Sequence, residues 1–193
     1  MNKYLLVLLA LLSSSSLTGC ISYSQHDLAP VDQWPPAQAR QDKPSAYLHV
    51  TTQQQFNGEL SGGVGNAALV EKNMLETFKE SGQFKNVTTD KVDSNLYVTS
   101  TLTNNEQGNI ASAWLTGFTL FVIPTTFSNT FTLETVFKDQ EGKVLGKVVK
   151  QESTRTWLQI LLIVGLPFNE RGDVLLKHLT QSTLDEAVKR KLI

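Results

Sequence analysis

The sequence predicts an α+β domain: an antiparallel or mixed sheet of four to five strands, two helices packed on one face, in the order β-α-β-β-β-β-α. Three observations predict it. "NLYVTSTLTN" alternates Leu96, Val98, Ser100 and Leu102 against Tyr97, Thr99, Thr101 and Thr103, the period of a half-buried strand. "FTLETVFKDQEGKVLGKVVK" sets Phe131, Leu133, Thr135 and Phe137 on one face, turns at Gly142 and returns, which makes a hairpin. Two amphipathic segments, one before and one after these strands, supply the helices.

The elements follow in chain order. "AYLHVTT" (Ala46–Thr52) is a short strand rich in β-forming residues. A Gly-rich loop then leads into a helix from about Asn66 to Ser81, with Leu69, Met74, Leu75 and Phe78 roughly on one face and Gly82 as its stop. "FKNVTT" is a second short strand, ahead of the alternating one and the hairpin. From Asp173 to Leu192 the spacing of Leu176, Leu179, Leu184, Ala187, Val188 and Leu192 is that of an amphipathic helix.

The predicted domain spans residues 46–193. Residues 20–45 read as a polar tether, since four of the six prolines lie there and neither helical nor strand periodicity does. Fully extended, some 26 residues reach about 85–95 Å. Trp34, before Pro35 and Pro36, is either a linker aromatic or a docking residue.

The first nineteen residues read as a secretory leader. Lys3 is a short positive region and Leu5 to Leu12 an apolar one too short to span a bilayer. Leu17-Thr18-Gly19-Cys20 resembles the lipobox of bacterial lipoproteins. That resemblance implies a signal peptide over 1–19 and a Cys20 carrying a diacylglyceryl thioether and usually an amide-linked third chain, palmitate in type. Residue 21 is Ile rather than the Asp that tends to retain lipoproteins in the inner membrane. By the same resemblance the expected location is the periplasmic face of the outer membrane. The predicted element order is also similar to that of several small outer-membrane lipoproteins, a likeness of topology without shared motifs.

Two apolar segments bracket the hairpin: Ile110–Pro124, "IASAWLTGFTLFVIP", and Trp157–Phe168, "WLQILLIVGLPF". Burying a large apolar side chain contributes roughly 1.5–3 kcal/mol. Trp157, Leu158 and Ile160 to Val164 therefore represent about 10–20 kcal/mol, at or above a whole domain's usual 5–15 kcal/mol. These side chains must be covered. Three covers remain open: they are core, they form a paired platform against a membrane or a membrane-embedded partner, or they associate with a second copy. If the strand ending near Thr103 and the hairpin form one antiparallel meander, both segments emerge at the same end, far from Gly142. The platform reading selects Trp114, Phe118, Phe121, Trp157, Leu161 and Ile163 as contact residues, with Trp114 and Trp157 as interfacial anchors.

Catalysis is not expected. Cys20 is the lone cysteine, which excludes a disulfide framework and a Cys-based zinc site. His26, His49 and His178 have no metal-binding spacing, Asp90 and Asp93 sit in a polar turn, and no nucleophile elbow occurs. "GGVGNAA" lacks the Lys-Ser/Thr ending of a P-loop, and "RGD" at 171–173 reads as chance. With 17 basic and 18 acidic residues the net charge is −1, which gives no footprint for nucleic acid. No metal and no cofactor is expected. The expectation is a lipid-anchored periplasmic adaptor or accessory protein of an envelope assembly, held to the membrane by Cys20, with a protein partner in the envelope and self-association left open; the alternative is a lipid- or glycan-binding module with an apolar cleft.

Overall fold

The computed structural model describes residues 19–36, 42–62, 66–159 and 172–193. Its strands are β1 (Gly19–Ser24), β2 (Ser45–Phe56), β3 (Glu59–Leu60), β4 (Asn86–Thr88), β5 (Leu96–Gly108), β6 (Thr125–Asp139) and β7 (Val144–Gln159). Its helices are α1 (Ala67–Glu80), α2 (Ile110–Phe118) and α3 (Gly172–Lys189). The order is therefore β-β-β-α-β-β-α-β-β-α. This corrects the predicted four- to five-stranded, two-helix β-α-β-β-β-β-α arrangement, and the likeness to lipoproteins of that order goes with it.

Each departure has a local cause. Asn57 and Gly58 both take positive φ, 51° and 87°, so the chain reverses tightly and Glu59–Leu60 pairs back on β2. Asn109 caps the first apolar segment, its side chain accepting from the backbone N–H of Ala111 (2.9 Å) and Ser112 (3.2 Å), and so starts α2. β1 is extended because β7 offers it an edge; its six residues have no pattern of their own strong enough to announce a strand.

The strands form one open, mixed sheet in the order β1-β7-β6-β5-β2-β3, with β4 also on β2. β2 runs parallel to β5 and β4, and the other pairs are antiparallel. α1 and α3 pack against each other and cover one face. Between them and the sheet lie Leu48, Met74, Phe78, Val98, Leu133, Phe137, Leu179 and Leu184, all buried. α1 is capped by Asn66, whose side chain accepts from Leu69 N–H at 3.1 Å, and it ends before Gly82 at φ 66°. The opposite face is half-exposed and polar, as an antiparallel face turned to water can be, with Thr51 and Thr101 sharing a hydrogen bond of 3.0 Å.

Of the stretch assigned to the tether, residues 20–36 lie against this domain. After β1, Gln25 N–H donates to Ser153 C=O (2.8 Å), and Leu28 and Trp34 pack against the core. Buried Glu152 is the clasp. Its carboxylate accepts from Ser24 Oγ (2.7 Å), Asp27 N–H (3.3 Å) and Leu28 N–H (2.9 Å). Hydrogen bonds to a charged group contribute about 1.5–3 kcal/mol each, and the freed strap donors can turn to water. Glu152→Ala should therefore cost about 2–3 kcal/mol in urea unfolding and raise protease cleavage within residues 25–36. Unchanged cleavage there would remove Glu152 from this role.

Candidate functional site

The site is the end of the sheet opposite the hairpin turn, and register brings its parts together. Gly108 at the end of β5 faces Phe127 of β6, and Thr126 of β6 faces Trp157 of β7. The turn at Gly142 (φ 84°) closes the other end, where Asp139 Oδ1 accepts from Glu141 and Lys143 N–H at 3.0 and 2.9 Å. α2 and Trp157 thus share one pole. So does Cys20: β1 pairs it with Leu158, which in turn pairs with Thr125.

α2 is inverted relative to an ordinary surface helix. Its polar side faces the sheet. Thr116 is completely buried and donates to Ser112 C=O (2.9 Å), and Ser112 and Thr125 hydroxyls lie 2.9 Å apart. Its apolar side faces outward, with Trp114 76% and Phe118 89% exposed and Ile110 and Leu115 also open. An amphipathic helix normally turns its apolar stripe inward. The apolar run in the sequence marked this segment as needing cover; it did not show that hydroxyls would take the inward positions.

After α2 the chain reverses through Leu120 and Phe121, at φ 52° and 64°. Left-handed backbone costs a non-glycine residue roughly 1–2 kcal/mol, and here it is held by Phe121 N–H to Thr116 C=O (2.8 Å) and Leu120 N–H to Gly117 C=O (3.1 Å). The outcome is a loop that presents Leu120, Val122 and Ile123 outward as well, with Phe121 half-buried. Trp157, 40% exposed, stands on the polar sheet face and donates its Nε1–H to the Tyr23 hydroxyl at 3.3 Å. Of the predicted contact residues, Trp114, Phe118, Phe121 and Trp157 are therefore gathered at one pole with Cys20. Leu161 and Ile163 lie outside the described residues, as do Leu17 and Thr18 of the lipobox.

A groove of about 640 Å³ runs between α2 and the sheet, lined by Phe56, Ile110, Trp114, Phe118 and Phe127 with Ala113 and Gly117. The ring of Phe127 lies against Gly108, where a Cβ would stand 2.5 Å from its Cδ1. Among the described residues no group of three His, Cys, Asp or Glu side chains is placed to hold a metal; His26 and His178 line one cavity beside Glu152, and His49 is exposed on β2. Among the same residues no helix is long and apolar enough to cross a membrane.

Comparison with solved structures finds a similar outline. The PelC dodecamer from Paraburkholderia phytofirmans aligns over 87% of this chain and 95% of its own, at 12% identity and a TM-score of 0.36. A point variant of that dodecamer aligns over 86% and 96%, at 12% identity and a TM-score of 0.35. The likeness is one of broad outline and transfers no residue and no activity. No protein-family model matches the chain, and no curated protein does.

Proposed function

We propose that this chain is a lipid-anchored, non-catalytic accessory protein of a bacterial envelope assembly, attached through acylated Cys20 to the periplasmic face of the outer membrane. Its apolar pole is its contact surface. One observation carries the reading: α2 seats Ser112 and Thr116 against the sheet and turns Trp114 and Phe118 outward, at the same end as Cys20. A helix built that way cannot be explained as core. Its exposed side chains each represent roughly 1.5–3 kcal/mol of uncovered apolar surface, a cost that a second oily surface removes. Leu161 and Ile163 are assigned to the same contact surface on sequence alone.

The test is Phe118→Asp. Position 118 is almost fully exposed, so the change should move folding stability by no more than about 0.5 kcal/mol. Lipidation, read as the mass of the N-terminal peptide, should also persist. Photo-crosslinks from position 114 to envelope components should fall at least tenfold. Unfolding of Phe118→Asp, in place of lost contact, would make α2 part of the core and end the reading.

The groove beside α2 favours a second reading, a module that takes a lipid chain between Phe56, Phe127 and Phe118. Native mass spectrometry of the domain carrying Cys20→Ala separates the two. Co-purified lipid in a one-to-one ratio supports the groove, and bare protein supports the accessory role.

A further inference from the structure

We infer that the apolar pole is seated in the same leaflet that holds the acyl chains of Cys20, so that the domain stands on the membrane at a fixed orientation and does not hang from a tether. This deepens the proposed function and rests on the reading of Cys20 as the acylated residue.

The first support is slack, or its absence. Chains attached to Cys20 must enter the bilayer at the position of its sulfur. β1 places Cys20 opposite Leu158 and Ile21 opposite Trp157, and β1 continues without interruption to Ser24 opposite Thr154. Glu152 and Trp34 then hold the following residues to the domain. With β1 paired, no length of free chain separates the acylated atom from the pole. Lipid at Cys20 brings Leu158, Thr125 and α2 to the membrane surface with it.

The second support is charge. From Gln107 to Leu133 the sequence contains no Asp, Glu, Lys or Arg, and from Thr156 to Asn169 it again contains none. Nor does Gly19 to His26. The described parts of these stretches meet at the pole. Moving inward from Leu158 along β7, the first charge is Arg155, about 10 Å away at a strand's rise per residue. Interfacial elements bury their apolar side about 5–10 Å into the boundary between headgroups and acyl chains, so the charge-free cap has the depth such seating requires. On the β2–β3 side the first charges are Glu59 and Glu106, both in register with Phe56 and one rung further from the tip than Arg155.

The third support is the boundary itself. Tyr23 and Trp157, hydrogen-bonded to each other, span the cap on one sheet face, with Trp157 one residue from Leu158 and Tyr23 paired with Arg155 at the inner margin. Aromatic side chains with a polar tip mark the headgroup level, and an exposed arginine level with Tyr23 meets the phosphates. α2 lies on one sheet face and Trp157 on the other, so the cap is apolar on both.

The experiment uses the full, lipidated chain in vesicles of phosphatidylethanolamine and phosphatidylglycerol. Acylation blocks the sulfur of Cys20, so Phe118→Cys and, separately, Glu141→Cys each give one reactive thiol for an NBD label. Both positions are exposed, one at the pole and one at the hairpin tip. Expected is a blue-shifted NBD at 118, quenched at least threefold more by doxyl-labelled acyl chains than the same label at 141. A chain that floats with the vesicles while both labels remain equally unquenched retains its anchor and overturns the seated pole. A chain that does not float overturns the anchor, and the seating with it.

Discussion

Cys20→Ala, expressed with residues 1–19 in place, should move the chain from the membrane fraction to the supernatant, with a loss of membrane-bound protein of at least a hundredfold. Each buried acyl CH₂ contributes about 0.8 kcal/mol, and one chain gives only reversible binding while two or three hold a protein almost permanently. The apolar pole remains after the substitution, so some weak association through Trp114, Phe118 and Trp157 should persist at high vesicle concentration and disappear in Phe118→Asp. Vesicle flotation measures both. Undiminished flotation of Cys20→Ala would show that the pole alone is the anchor and that acylation at Cys20 is dispensable.

Which parts of this arrangement could be read from the sequence depends on how locally each is determined. The alternation of Leu96, Val98, Ser100 and Leu102 announces β5 because one side of that strand meets the core along its length. Gly142 announces the hairpin, and Asn66 and Gly82 bound α1, because caps and turns are short-range devices. Asn57-Gly58 carried an equally local signal for β3, hidden within a Gly-rich stretch that reads as loop. The parallel pairing of β2 with β5 has no local signature, since it depends on α1 and β4 crossing between them. β1 is less legible still: six residues without a periodicity of their own become a strand because β7 is there to receive them.

The site divides the same way. The two apolar segments and the lipobox are plain in the sequence, but the distance between them is a matter of register. Pairing Cys20 with Leu158, 138 positions apart in the chain, is what brings the proposed acylation site and the apolar surface to one end. The inversion of α2 was hidden for a related reason. Trp114 and Phe118 lie four residues apart, and so do Ser112 and Thr116, so helical spacing defines two stripes without saying which meets the sheet. On the sheet side Ser112 meets the hydroxyl of Thr125 at the start of β6, a contact across the chain that helical spacing does not reveal.

Two phenylalanines put this division to a direct test. Phe137 is fully buried, with Val98 on one side and Gly146 on the other in the sheet register. Gly146 is small because Leu192 closes over it; a Cβ there would stand 2.7 Å from Leu192 Cδ2. The surroundings of Phe137 are fixed by paired strands and by α3, so they cannot collapse to fill a void. Phe137→Ala should cost about 3–5 kcal/mol, a large share of the 5–15 kcal/mol that holds a domain together. Phe118→Ala should cost under about 0.5 kcal/mol, since its ring leaves water rather than core. Urea unfolding of the two variants with Cys20→Ala as common background measures the contrast free of lipid. Membrane association should run the other way, with Phe118→Ala in the lipidated chain reducing the doxyl-lipid quenching of Trp114 while folding is unaffected. Equal stability losses at 118 and 137 would mean that α2 shares the core after all, and that the oily pole is inside the molecule and not at its membrane end.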